Sequence, residues 1–515
     1  MPAADPTLAN ALREHLQATT GHPVSLVETH ISWVLITLAF AYKLKKPVQL
    51  SFVDFRTLAA RKHFCEEEIR LNRRLAPSLY LGVVPVFGRP EAPRLEGGNE
   101  AIEYAVWMRR FPEEELACNL VRSGRLEPVQ IDRFAQRLAA FHAQAEIAAP
   151  SSGFGSARQV PVPVNLTLSG LAAECGTDHA PLRQLQAWVT GRCESLRDTW
   201  QARQHAGAVR ECHGDLHLAN VVRVDGELTA FDGVEFDPAL RWIDVMSDVA
   251  FFTMDLDAHG RAELAWRFLD GWLQHSGDFG GLAVLRFYEV YRAAVRALVQ
   301  RLRVRATGEP CAPGDPDYLQ WAVQRAAAAG HAPRLMITHG LSGSGKSTVA
   351  ARLLEIAGAI RIRSDVERKR LFGLAPLQRS AERALDIYTP EATRRTFEHL
   401  AGCARTALEA GYPVIVDAAF LRREERRAFR SLAAALDVPF SILWCHAAEG
   451  LLRQRVAARD AARGDASEAD PAVLERQIAT HEPLDDDERS MALDVDTGSA
   501  PDLPALRAHW LAAAP

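Results

Sequence analysis

Short apolar runs closed by glycine, proline or charged residues alternate along this chain with longer stretches whose apolar positions recur every three to four residues. The first pattern predicts strands and the second helices, so both are expected throughout. A leading helix with a polar entry is predicted up to about Val27, then β-structure from Ile31 to Lys45 and a helix from Arg61 to Leu75. Val83 to Val86 and Glu103 to Met108 read as further strands of a small sheet, the second running into Arg109-Arg110-Phe111-Pro112 as a hinge. Helix is expected on to Ala149, followed by a Pro/Gly/Ser-rich break from Pro150 to about Leu166. Long helices are predicted from Ala258 to about Arg305 and another from Tyr318 to Ala329, with a break from Gly308 to Pro316. Beyond Gly330, the runs Leu335 to Thr338, Val414 to Phe420 and Ser441 to Cys445 read as buried strands of a parallel sheet. The tail past Leu484 carries no readable pattern.

Composition narrows the class. The chain has 515 residues, enough for roughly two to four domains, each with its own core. Hydrophobic content of 48% and charged content of 24% are ordinary for a soluble globular protein. A net charge of -5 supplies no basic field for a nucleic acid or an anionic membrane. The longest apolar run, Ile31 to Tyr42, is too short to span a bilayer, and Met1 to Asp5 lacks the basic-then-apolar pattern of a secretion signal. The eight cysteines are scattered, with no C-x-x-C pair, so a reducing cytoplasm is expected rather than a disulfide framework or zinc ribbon. Oligomeric state is not readable.

One stretch organises the chemistry. Gly340-Leu341-Ser342-Gly343-Ser344-Gly345-Lys346-Ser347 fits G-x-x-x-x-G-K-[ST], lies after a predicted strand, and opens a predicted helix through Thr348. Glycines let backbone N–H groups curl round a phosphate, and the helix N-terminus adds partial positive charge. Gly340, Ser342, Gly343, Ser344, Gly345 and Thr348 are expected to line the nucleotide. Lys346 would reach its β- and γ-phosphates, and the Ser347 hydroxyl would hold Mg²⁺. The competing reading is an ordinary Gly/Ser-rich turn. After the loop, Ala359 to Asp365 reads as a strand ending in an acidic residue. Val414 to Asp417 is a second strand, whose Asp417 is placed to support Mg²⁺.

A second constellation lies in the front part. Lys43 ends an apolar strand, and the following helix carries Glu66, Glu67 and Glu68; Lys43 is paired with Glu68 as an ATP-positioning couple, against a solvated Lys/Glu surface. Met108, entering the hinge, is assigned to the nucleotide site. His213-Gly214-Asp215-Leu216-His217-Leu218-Ala219-Asn220 is followed by Phe231-Asp232-Gly233 after a hairpin. Asp215 would orient the acceptor hydroxyl, while Asn220 and Asp232 would bind Mg²⁺. A metal cluster of Cys212, His213 and His217 is the rival reading, and His213 reads as a structural imidazole.

H-G-D-x-H-x-x-N followed by a strand aspartate resembles the aminoglycoside-phosphotransferase and choline-kinase-like branch of the protein-kinase fold. The glycine-rich loop of protein kinases is absent: Glu28-Thr29-His30-Ile31-Ser32 stands where it would lie. In this resemblance Asp248 anchors the catalytic loop. The rear part resembles small P-loop kinases, zeta-toxin-like kinases included. That resemblance implies that Asp365 receives the acceptor hydroxyl, with Arg368-Lys369-Arg370 near an anionic acceptor; a helix N-cap is the alternative for Asp365. Arg455, Arg459 and Arg463 share a helix face as a lid over phosphates, or as a solvated basic face paired with Asp460, Asp465 and Glu468, with Arg453 off to the side.

The order of parts resembles bacterial fusions of the two kinds. The fold class expected is therefore α/β and α+β. A bilobal protein-kinase-like domain spans residues 1–330, with lobes at about 1–108 and 109–330, and a P-loop α/β/α domain with a parallel sheet spans 331–515. The function implied is a bifunctional phosphotransferase with ATP and Mg²⁺ at two sites, acting on small hydroxyl-bearing molecules. Glu113-Glu114-Glu115 and Asp255 or Asp257 are candidate contributors to an acidic acceptor cleft. The alternatives are a regulatory ATP-binding module controlling the other domain, or a toxin-like kinase acting on nucleotide sugars or nucleic-acid ends.

Overall fold

The computed structural model describes residues 5–50, 53–176, 178–328, 332–462 and 464–512. Met1 to Ala4, the expected boundary at Gly330, and Arg463 lie outside them. The chain forms two compact units. The first holds residues up to Phe134 with Phe141–Pro163 and Trp200–Asp255; the second holds Ala135–Ala140, Val164–Thr199 and everything from Leu256 onward.

The first unit is built on an antiparallel sheet. Its strands are β1 (Ser25–Glu28), β2 (Ser32–Ile36), β3 (Phe40–Lys45), β6 (Tyr80–Arg89), β7 (Ala92–Arg94) and β8 (Ala101–Arg109), in the order β1-β2-β3-β8-β6-β7; a two-residue ladder, β4 (Gln49–Leu50) with β5 (Val53–Asp54), stands apart. The leading helix is shorter than expected, Thr7–Thr20. Gly21 takes the left-handed conformation at φ 70° and returns its N–H to Gln17, which ends the helix and frees Ser25–Glu28 to pair with β2. Ala9, Leu12 and Leu16 of this helix pack with Trp33, Leu35, Leu44 and Val86 on one sheet face. The helix Leu58–Asn72, capped by the Thr57 hydroxyl on the Ala60 N–H, covers the other, where Cys65 and Ile69 join Tyr80, Val106 and Met108. Two short antiparallel ladders follow: β9 (Val209–Glu211) pairs with β12 (Trp242–Asp244), and β10 (Val221–Val224) with β11 (Glu227–Ala230).

The second unit contains a parallel sheet. β13 (Leu335–His339), β14 (Ile360–Arg363), β15 (Val414–Asp417), β16 (Phe440–His446) and β17 (Ala492–Asp496) lie in the order β14-β15-β13-β16-β17. β13 is buried at every position, as a strand covered on both faces must be. The tail past Leu484 is structured: β17 pairs with β16, and the helix Leu503–Ala512 places Trp510 in the core beside Leu353, Leu493 and Val495. β17 was hard to read because Asp494 and Asp496 interrupt its apolar positions, and an edge strand exposes one side. The expected break to Leu166 is likewise shorter, since the helix Pro161–Cys175 carries Pro161 and Pro163 in its first turn, where no intrahelical N–H is needed. Among the described residues no helix is long and apolar enough to cross a membrane.

Trp510 is 1% exposed. Trp510→Ala is expected to cost about 3–5 kcal/mol of stability, read as a lowered midpoint in chemical unfolding of the full chain. An unchanged midpoint would show that the terminal helix lies outside the cooperative core.

Candidate active sites

In the first unit the alternation of β3 puts Lys43 and Lys45 on the same face. Both reach Glu68 on the helix Leu58–Asn72: Lys43 Nζ donates to Oε1 at 2.9 Å and Lys45 Nζ to Oε2 at 2.8 Å. Lys43 also donates to Asp232 Oδ1 at 2.5 Å, and Lys45 to Glu235. Burial alone would lower the Lys43 pKa, but the charges of Asp232 and Glu68 hold it well above its ordinary value. The sequence reading paired Lys43 with Glu68 and missed Lys45 and Glu235. The signals were the two-residue strand period and the acidic residue three places after Asp232.

Asp232 sits at φ 59°, sparsely populated for a residue with a side chain, and its N–H donates to the Tyr80 hydroxyl at 3.0 Å. Gly233 donates its N–H to Asn72 Oδ1, at 2.8 Å, and a Cβ there would lie 3.1 Å from the His213 carbonyl. The loop carrying Asp215 is tied to this segment. His213 Nε2 donates to the Phe231 carbonyl at 2.9 Å, and the Phe231 N–H donates to the Asn220 carbonyl at 2.9 Å. Asp248 accepts from the His213 and Gly214 N–H groups at 2.8 and 2.9 Å, with His142 Nε2 3.3 Å away. Asn220 Nδ2 donates to the Asp215 carboxylate at 2.9 Å, and His217 Nε2 lies 3.4 Å from the same oxygen.

Burial pushes the His213 pKa down. With its ring on Phe231 and the Cys212 thiol on the Ile243 carbonyl at 3.5 Å, the two do not aim at a common metal. Met108 is buried between β3 and β6, opposite Ala41 and Tyr80. Asp255 is not a cleft residue: it is 1% exposed and accepts from the Leu218 N–H at 2.7 Å. Asp257 accepts from Trp321, and Glu115 is held by Arg223 and Arg125, so of the acidic candidates only Glu113 and Glu114 stand exposed.

In the second unit the phosphate-binding loop connects β13 to the helix Lys346–Ala357. A Cβ at Gly340 would come within 2.2 Å of the Cys445 carbonyl, and one at Gly343 within 2.7 Å of the Leu452 carbonyl. Only glycine lets the loop pass there. The loop opens on a cavity of about 980 Å³ whose walls include Lys346, Ser347, Thr348, Asp365, Arg368 and Asp417. Such a volume is at the upper end for a ligand site and has room for a nucleotide with an acceptor beside it. Burial pushes the Lys346 pKa down, partly offset by Asp417.

The parallel register sets Asp417 opposite Arg363 at the C-terminal end of β15, and Ser347 Oγ donates to Asp417 Oδ1 at 3.0 Å. Asp417 Oδ2 is buried with no hydrogen-bond partner; Arg361 and Arg363 each lie 3.8 Å from it. Hard oxygen donors, one of them orphaned, fit a Mg²⁺ ion bound with water and phosphate oxygens.

Asp365 lies in the first turn of the helix Ser364–Leu371, whose N-cap is Arg363, so it is not itself the cap. Of the three basic residues after it only Arg368 lines the cavity. Lys369 is fully buried on the Pro376 carbonyl and Glu468, and Arg370 binds Glu367 and the Gln274 carbonyl. Phe420, at φ 48°, is another strained position; its carbonyl accepts from Arg426 at 3.1 Å and from His339 Nδ1 at 3.0 Å, which fixes the ring in the cavity wall against Phe397.

On the helix Glu449–Ala462, Arg455 and Arg459 face the cavity. Arg455 donates to Thr497 Oγ1 and to the Gly343 carbonyl, whereas Arg453 turns away to Glu475. Of the three expected basic-face partners, Asp460 lies 3.8 Å from Arg379, Asp465 binds Arg363, and Glu468 binds Lys369 and Ser380.

The AAA domain family matches residues 335–484. An uncharacterised protein of Mycobacterium tuberculosis is 30% identical over 464 residues, 88% of this chain and 91% of the relative, and one of Mycobacterium bovis matches to the same extent. Among solved structures, choline kinase from Cryptosporidium parvum is similar at 8% identity, covering 62% of this chain and 93% of its own, with a TM-score of 0.38. A sugar kinase from a Janibacter species is similar at 23% identity, covering 35% and 94%, with a TM-score of 0.27.

Glu68 is 0% exposed between two lysines. Glu68→Gln takes from each of two lysines one of its two carboxylate partners and is expected to cost about 3–5 kcal/mol, seen as an earlier urea transition of the first unit. Retention of wild-type stability would mean that Asp232 and Glu235 suffice to neutralise the pair.

Proposed function

The chain belongs to the family of these mycobacterial proteins, which match it along most of its length, and on that premise we propose that it is a bifunctional ATP-dependent phosphotransferase. Each site transfers the γ-phosphoryl group of ATP to a small hydroxyl-bearing acceptor, one in a kinase-like domain over residues 1–330 and one in a P-loop domain over 331–515. The observation that carries the reading is the convergence on one cavity of Lys346, the Ser347–Asp417 pair and Asp365. A phosphate anchor, oxygen donors for a cation and a carboxylate for an acceptor hydroxyl are the parts that phosphoryl transfer requires.

Phosphoryl transfer needs little covalent help from the protein, so each residue's task is to position groups and to stabilise charge. In the rear site the loop N–H groups and Lys346 hold the phosphates, and Asp365 orients and receives the proton of the acceptor hydroxyl. Arg455 and Arg459, already on the cavity wall, stabilise charge spread over the transferred group. In the front site Lys43, held by Glu68, positions the nucleotide, and Asn220 with Asp232 supplies oxygen donors. Asp215, oriented by Asn220 and His217, takes the acceptor proton. Bound Mg²⁺ would neutralise the phosphate oxygens in both sites.

Labelling by γ-labelled ATP, with a metabolite extract and an aminoglycoside panel as acceptors, tests the reading by product mass. Asp215→Asn is expected to abolish one labelled product and Asp365→Asn another, each by at least about 100-fold, as loss of a general base requires. If no acceptor is labelled by the wild-type protein while ATP still binds, the two-enzyme reading fails and a regulatory nucleotide module takes its place.

A further inference from the structure

The helix Ala262–Ser276 lies well before the phosphate-binding loop in sequence, in the stretch the sequence reading assigned to the front domain, yet it belongs to the same compact unit as the parallel sheet. One turn of it grips a single residue of β14. Asp270 Oδ2 accepts from Arg361 at 2.7 Å, with Oδ1 3.4 Å from Arg361 Nε. Gln274 Nε2 donates to the Arg361 carbonyl at 3.0 Å and to Asp270 Oδ1 at 3.1 Å. The other side of the same guanidinium faces the loop: Arg361 Nη1 donates to the Ser347 carbonyl at 3.2 Å and lies 3.8 Å from Asp417 Oδ2.

Arg361 is 8% exposed, so little water screens these charges. A buried guanidinium this close to an orphaned carboxylate oxygen competes with any cation for it. Its other neighbour, Arg363, is equally distant from Asp417 but is restrained by Asp465 from within the P-loop domain. Among the described residues, the Arg361 guanidinium is restrained by hydrogen bonds to Asp270 and the Ser347 carbonyl.

We infer that Asp270 is a positioning residue for the rear site, holding Arg361 off Asp417 so that the carboxylate stays open to Mg²⁺. This rests on the reading of Ser347 and Asp417 as the metal-nucleotide site. The P-loop domain then depends electrostatically on a helix that precedes it, and a P-loop fragment beginning near residue 331 lacks a part of its own site. Loss of the Asp270 carboxylate lets Arg361 close on Asp417 and form the two-point pair that guanidinium and carboxylate favour.

The test is Mg²⁺ titration of the binding of a fluorescent ATP analogue to the full chain, counting as rear-site binding the part lost in Lys346→Ala. Asp270→Asn and Asp270→Ala are expected to need about 10- to 100-fold more Mg²⁺, with affinity in EDTA unchanged. Adding Arg361→Gln to either is expected to return the Mg²⁺ requirement to that of the wild type. An unaltered requirement, an equal loss of affinity with and without Mg²⁺, or failure of Arg361→Gln to reverse the effect each overturns the inference. Absence of Lys346-dependent binding in the wild type instead overturns the nucleotide-site reading beneath it.

Discussion

Glu68 accepts from Lys43 and Lys45 inside a unit that hides its carboxylate from water, and each lysine carries a second carboxylate from the segment Asp232 to Glu235. Glu68 is the carboxylate that both lysines share, so its loss weakens the compensation of two buried charges at once. The consequence is geometric. Sheet, helix and the Asp232 segment are drawn to one point, and Asp232 is kept in a strained backbone conformation that an isolated turn would relax. The loop bearing Asp215 is then fastened to that segment through His213, Phe231 and Asn220, with Asp248 clamping its start. A candidate nucleotide lysine and a candidate acceptor carboxylate thus share one hydrogen-bonded frame.

The second unit meets the same constraint differently. A parallel sheet delivers its loops to the carboxyl ends of its strands, so Asp417 and the phosphate-binding loop arrive side by side without long-range pairing of charges. The charge that collects there is regulated by partners: Arg361 is divided between Asp270 and the Ser347 carbonyl, and Arg363 between Asp417 and Asp465. Lys346 lies in the same cavity wall, where burial pushes its pKa down and the charge of Asp417 partly offsets that. Phe420, at a positive φ, is fixed in the cavity wall through its carbonyl, which accepts from His339 and Arg426.

Elements whose pattern is local were legible. The phosphate-binding loop, β13 and the helix after it follow from glycine, lysine and an unbroken apolar run. Lys43 with Glu68 followed from a strand-end lysine and an acidic helix. Elements that depend on what they pack against were not. β17 alternates with aspartates and becomes a strand only because β16 offers it an edge. The helix Leu503–Ala512 is fixed by the burial of one tryptophan. Three adjacent basic residues, alike in sequence, separate into one cavity residue and two structural ones according to the helix face each occupies.

Local sequence sets the chemical types available: a glycine-rich loop after a strand, hard oxygen donors, two candidate acceptor carboxylates and the strand-loop-helix order that carries the loop. These are set by backbone freedom and by side-chain chemistry over a few neighbouring residues. Tertiary structure alone decided which charges share a partner. Lys45 joins Glu68, Asp255 turns from the cleft to the Leu218 N–H, and Asp270 reaches Arg361 from a helix far away in the chain. Coulombic pairing inside a protein depends on separation in space and on the exclusion of water, and neither is written in local spacing.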